Sequence, residues 1–157
     1  MTVSNPRDLV VQQLGELLFV ERRLADDVIG KLAASVGDDE LRAGLEQHRE
    51  ETRQHAERLE TAFRKLEVAP TSNRSAQFES AVGQHDELAA SFVDPRLADL
   101  FHAQAALHVE HWEMAAYRSV LPLLSKEVVA VLRPSLDEEG QAAKTLVTAI
   151  DRLAAAR

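Results

Sequence analysis

Two histidines and a glutamate stand together in 46-EQHREETRQHAERLE-60: His48, Glu51 and His55. Imidazole nitrogens with hard carboxylate oxygens suit iron or manganese, and the absence of cysteine excludes thiolate sites, disulfides and a cysteine nucleophile. The chemistry such groups can support is redox work with oxygen or peroxide, or Lewis-acid activation at an open coordination position. Three other acids, Glu21, Glu110 and Glu139, interrupt apolar patterns elsewhere in the chain.

The elements that carry these groups follow from helical periodicity, at about 100° per residue. Four long helices are expected at about 6–35, 39–67, 95–123 and 126–155, with boundaries set by cap and proline signals. In the first, Val10, Val11, Leu14, Leu17, Leu18, Ala25, Val28, Ile29 and Leu32 form a stripe with Glu21 in its middle. In the second, His48 and His55 lie between Leu41, Leu45, Thr52, Leu59 and Phe63, with Glu51 on the flank. The third places Glu110 inside its stripe, His111 on the border and Glu113 further round. In the fourth, Glu139 is central among Val128, Val129, Leu132, Leu136, Ala143, Leu146 and Ile150, while Asp137 and Glu138 point away.

Each long helix thus brings one glutamate onto or beside its buried face. A buried carboxylate without a partner costs several kcal/mol or shifts its pKa until it is neutral. The stripes hold no lysine, and Arg118 is the sole interior arginine candidate. Two divalent cations would supply the missing positive charge. His85 is expected to pack on the apolar side of the connector, and His102 and His108 to lie on the surface.

Residues 68–94 join the two helical pairs and hold a helical pattern of their own in Phe78, Ala81, Val82, Leu88, Ala89 and Phe92. The expected fold is all-α, a ferritin-like four-helix bundle with one long crossover that carries an extra short helix, the whole of 1–157 being one domain. Pro134 leaves two readings open: a bent final helix, or a short turn at 126–132 with the main helix beginning at the proline.

Composition narrows the function classes. The net charge is −8, from 26 acidic and 18 basic residues, which weighs against nucleic acid as partner. No apolar run approaches a membrane span, and the first residues lack a signal-peptide pattern, so a cytoplasmic protein without a membrane partner is expected.

The segments 15-GELLFVERRL-24, 41-LRAGLEQHREETRQHAERLE-60, 109-VEHWEMAAY-117 and 136-LDEE-139 resemble the YciE/YciF-like family of ferritin-like bacterial stress proteins. The resemblance covers nearly the whole chain. It implies a bundle, often dimeric, with a dinuclear site whose positions fall on Glu21, His48, Glu51, Glu110, His111, Glu113 and Glu139. The chain departs from the family pattern where Ala143 stands at the place of an acid, and His55 occupies a position that is commonly Gln. No Glu-x-x-His occurs; helix two offers His48-x-x-Glu51 and Glu51-x-x-x-His55 instead.

The leading expectation is a protein that binds two divalent metal ions, iron ahead of manganese or zinc, and oxidises Fe(II) or reduces peroxide during stress. In it Glu51 and Glu139 bridge, Glu21 and Glu110 cap, and His48 with His55 or His111 supplies nitrogen. A homodimer is expected, both from the resemblance and from apolar residues outside the main stripe, Phe19 and Val20 among them. The alternative is a non-catalytic helical protein whose buried glutamates form a metal-free polar core. A hemerythrin-like oxygen carrier ranks lowest, because the histidines are too scattered.

Overall fold

Asn5 starts the first helix as its sequence proposes: its side-chain oxygen accepts from Asp8 N at 3.0 Å, and Pro6 takes the first helical position. In the computed structural model, which describes residues 3–155, α1 (Pro6–Arg23) runs through a π-helical segment (Leu24–Val28) into α2 (Ile29–Ser35). Periodicity places a helix over 6–35 but does not reveal the π segment. Arg49 crosses to this segment and donates from Nε to the Ala25 carbonyl at 2.6 Å. Gly30 makes that approach feasible, since a Cβ there would lie 2.8 Å from the guanidinium.

Asp38 caps α3 (Asp39–Lys65), accepting from Leu41 N at 2.8 Å. The helix ends two residues before the expected boundary. Val68 N donates to the Phe63 carbonyl and Glu67 N to that of Arg64, with Glu67 in the left-handed region at φ 55°. The connector then crosses α1, where Asn73 N donates to the Gly15 carbonyl at 2.9 Å. A side chain at position 15 would collide with Asn73 and Thr71, which accounts for a glycine inside an apolar helix. Ser75 caps α4 (Ala76–Ala89), the short crossover helix, in which Phe78 is the buried residue.

Asp94 caps α5 (Pro95–Val120), which tightens into a 3-10 turn at Leu121–Leu123 around Pro122. The last helix, α6 (Lys126–Ala155), is unbroken across Pro134. Val128, Leu132 and Leu136 are buried on one face on either side of the proline, and this shared burial holds the helix together through the lost hydrogen bond. The reading in which the main helix begins at Pro134 is therefore set aside.

Helix α5 packs on α6, α6 on α3, α3 on α1 and α1 on α5, closing a four-helix ring with the crossover between α3 and α5. This is the ferritin-like bundle with a long connection and an extra short helix. Its apolar interior is split in two. One cluster gathers Leu14, Leu17, Leu59, Phe63, Val120 and Leu132; the other gathers Val20, Leu24, Leu41, Leu45, Ala103 and Leu146. Between them, at the same height on every long helix, lie Glu21, His48, His55, Glu110, Glu113 and Glu139, all buried.

Val20, expected outside the main stripe, is wholly buried within the chain and so gives no support to a dimer interface. Among the described residues, no helix is long and apolar enough to cross a membrane.

Candidate metal centre

Glutamate is a strong helix former, so Glu21, Glu110, Glu113 and Glu139 cost their helices little; the expense arises on packing, when four carboxylates enter one layer. They meet two imidazoles there in two groups that share one residue. Glu21, His55 and Glu139 form one, and His48, Glu110 and Glu139 the other, each with ligand atoms within 4.8 Å of one another. Glu139 offers one oxygen to each side, which is the position of a bridge.

His55 Nδ1 lies 2.8 Å from Glu139 Oε1 and 3.3 Å from Glu21 Oε2, yet neither contact has hydrogen-bond geometry. The atoms point toward a common space rather than at one another. On the other side, His48 Nε2 is 3.2 Å from Glu110 Oε1 and 3.7 Å from Glu139 Oε2. Six carboxylate oxygens have no hydrogen-bond partner: Glu21 Oε2, Glu110 Oε2, both of Glu113 and both of Glu139. Buried polar groups are almost always paired, so such a concentration of lone pairs fits a divalent cation and fits apolar packing poorly.

The outer nitrogens of both imidazoles carry a carboxylate. His55 Nε2 is 2.9 Å from Glu138 Oε2, and Glu138 also accepts from Arg58 Nη2 at 3.1 Å. His48 Nδ1 is 3.5 Å from Glu51 Oε2, which Gln47 holds in place at 3.0 Å through the other oxygen. A proton shared on the outer nitrogen leaves the inner one as a lone-pair donor, the arrangement that orients histidine ligands in metal sites. Tyr117, fully buried, donates its hydroxyl to Glu21 Oε1 at 2.6 Å.

Packing four acids and two imidazoles into one layer shifts their protonation. Burial raises Glu21, with His55 pulling the other way; burial and then Glu139, Glu21 and Glu110 push Glu113 well above the carboxylate range. Burial carries Glu139 to about 7. Burial would lower His55, but Glu21 and Glu139 outweigh it and hold the ring near 10. His48 is raised likewise, by Glu110 and Glu51 against burial.

Six of the eight residues expected to bind metal are brought together: Glu21, His48, His55, Glu110, Glu113 and Glu139. Glu113, which the stripe alone placed further round, is wholly buried because it lies one turn from Glu110 on the same face. Glu51, expected as a bridge, lies outside both groups: it is partly exposed and sits on the outer nitrogen of His48. His111 is exposed, the step of about 100° from Glu110 having turned it out of the layer.

Other expectations are also corrected. Glu138 does not point away but backs His55. Arg118 is exposed, and the arginine at the layer is Arg58. His85 does pack, stacking on Phe101, but it also meets His102, whose Nδ1 is 2.9 Å from its Nε2. His102 is therefore buried and not a surface residue, whereas His108 is exposed as expected. Tyr117 and Arg58 gave no sequence signal as site residues, since a tyrosine in a stripe reads as core and an arginine beside one as surface.

Residues 5–157 match the model of a family described as a domain of unknown function, DUF892. No curated protein matches the chain. Two solved structures are similar over almost their whole length. YcfI from Rhodopseudomonas palustris, described as a candidate structural protein, is 26% identical with a TM-score of 0.90, covering 93% of this chain and 95% of its own. The Escherichia coli stress protein YciF is 20% identical with a TM-score of 0.92, covering 99% of this chain and 100% of its own.

Proposed function

The chain belongs to the DUF892 family, in keeping with the resemblance carried by its helix motifs, and we propose that it binds two divalent metal ions, iron ahead of manganese, between its four long helices. The observation that supports this most is the set of six unpartnered carboxylate oxygens around two imidazoles. Glu21 and His55 would hold one ion, His48 and Glu110 the other, with Glu139 between them and Glu113 beside both. When bound, such ions supply redox chemistry with oxygen or peroxide.

The protein's own part is to bind and orient the ions. Glu138 and Glu51 fix the imidazoles through their outer nitrogens, and Tyr117 orients Glu21 by donating to Oε1. The two apolar clusters close the layer above and below, keeping the local dielectric low. A role in stress follows the description of YciF, and a homodimer remains part of the proposal, to be read from the mass in light scattering.

A second reading has one observation in its favour. The raised pKa values of His48 and His55 give the layer two positive charges without any metal, so a hydrogen-bonded polar core is a physical alternative. Glu113 weighs against it, because neither of its buried oxygens has a hydrogen-bond partner of either kind.

Elemental mass spectrometry on protein offered Fe(II) without oxygen decides between the two. About two ions per chain are expected; none would establish the metal-free core. Glu51→Ala should weaken metal affinity by about tenfold, as loss of an outer carboxylate does, and exposed Glu50→Ala should leave it unchanged. Equal loss in both variants would show that Glu51 has no special place at His48.

A further inference from the structure

Two openings lead to the same inner residues. The smaller, of about 230 Å³, carries Glu40, Gln47, Glu51, Gln141 and Thr145 among Leu41, Leu45 and Leu146, and it ends at His48 and Glu110. The larger, of about 530 Å³, lies beneath α4 and also ends at His48 and Glu110, but its walls are Leu24, Val28, Leu32, Phe78, Val82 and Trp112. Carboxylates and amides along the small opening suit hydrated cations. Hydrocarbon walls along the large one do not.

We propose that the cavity beneath α4 binds an uncharged, mainly aliphatic organic molecule whose inner end meets the carboxylate layer at His48 and Glu110. Its volume lies within the range of about 300–1,000 Å³ typical of small-molecule sites. The charged groups at its rim are already committed to one another. Arg23 Nε is 3.0 Å from Glu79, and Lys31 Nζ is 2.8 Å from Asp27. A charged head would lose its hydration on entry, and Arg23, Asp27 and Lys31 along the walls already have ionic partners. An anion would in addition meet Glu110, beside His48, at the inner end. A neutral chain loses no hydration of that kind and gains apolar contact along the whole cavity. Helix α4 is suited to cover such a site, since Phe78 alone of its residues is buried against the bundle.

That this molecule is a substrate of the centre rests on the metal reading above; its binding does not. The chain's single tryptophan, Trp112, lines the cavity and reports on it directly. Titrating 1-decanol into the metal-free chain should give a saturable blue shift of Trp112 emission. Sodium decanoate should bind at least about tenfold more weakly. Ala106→Phe and Val82→Phe fill the cavity from α5 and from α4, and each should weaken decanol binding by about tenfold or more while circular dichroism and metal uptake stay as in the parent. No saturable shift, decanoate binding as tight as decanol, or undiminished binding in both filled variants would overturn the proposal. Decanol binding without metal uptake by the parent chain would overturn the metal reading and leave the pocket standing; metal uptake without decanol binding would do the reverse.

Discussion

Asp99 and Glu113 are both buried acids of α5, and they have opposite surroundings. Asp99 accepts from Gly37 N at 2.8 Å with one oxygen and from Asp38 N at 2.9 Å with the other. Through them it ties α5 to the turn between α2 and α3. Asp38 extends the tie to α6, accepting from both terminal nitrogens of Arg152 at 2.6 and 2.7 Å. Glu113, four turns along the same helix, meets carboxylates instead of donors. Burial by itself therefore does not make an acid a candidate ligand. What separates the two is whether the fold supplies hydrogen to the oxygens it has taken from water.

The largest effect is expected at the satisfied acid. Asp99→Ala removes two charge-assisted hydrogen bonds and leaves two backbone donors without an acceptor, which should lower stability by about 4 kcal/mol. Chemical denaturation would measure it, and metal content should stay at the parent level. Loss of metal in this variant would erase the distinction between the two regions.

Glu113→Leu should act in the opposite direction on the metal-free chain, raising its stability by roughly 2 kcal/mol because an unsatisfied buried group is replaced by an apolar one of similar size. The same change should reduce metal uptake. A variant less stable than the metal-free parent at neutral pH would show that Glu113 has a donor after all.

The pH dependence sharpens the contrast further. Glu139 has its pKa raised to about 7 and His55 to about 10, so the folded layer binds more protons than the unfolded chain does. For the acid, stability is lost as pH rises toward 7; for the histidine, stability present at low pH is lost as pH rises toward 10. Both signs agree. Metal-free protein should lose on the order of 2 kcal/mol between about pH 5.5 and about pH 7.5, seen as a lower denaturant midpoint. A midpoint that rises over this range would contradict the strained layer.

The smallest effect lies at the turn. Arg152 and the Leu41 amide hold Asp38 at about 2, below its unfolded value. Its contribution is present above the unfolded pKa and disappears as pH falls through about 2, the reverse of the layer. This pair is partly exposed, so Arg152→Ala should cost less than about 1 kcal/mol near neutral pH and flatten the acid limb of the stability curve. An unchanged acid limb would remove Arg152 as the cause.

Much of this was written in local sequence. Caps at Asn5, Asp38, Ser75 and Asp94, and stripes repeating every three or four residues, determine where helices run because both signals act within one turn. The same stripes carried Glu21, His48, His55, Glu110 and Glu139 inward, because a residue's face on a helix is a matter of arithmetic. Tertiary structure decided which of these groups meet, and around what. That Glu139 lies between two triads, that Glu51 and Glu138 stand behind the imidazoles, and that Tyr117 reaches Glu21 across 96 positions of chain depend on the heights and rotations at which four helices pack. So does the difference between Asp99 and Glu113. Periodicity assigns each acid a side of its own helix, but the donors that satisfy one of them belong to a turn distant in sequence, and only packing brings that turn within reach.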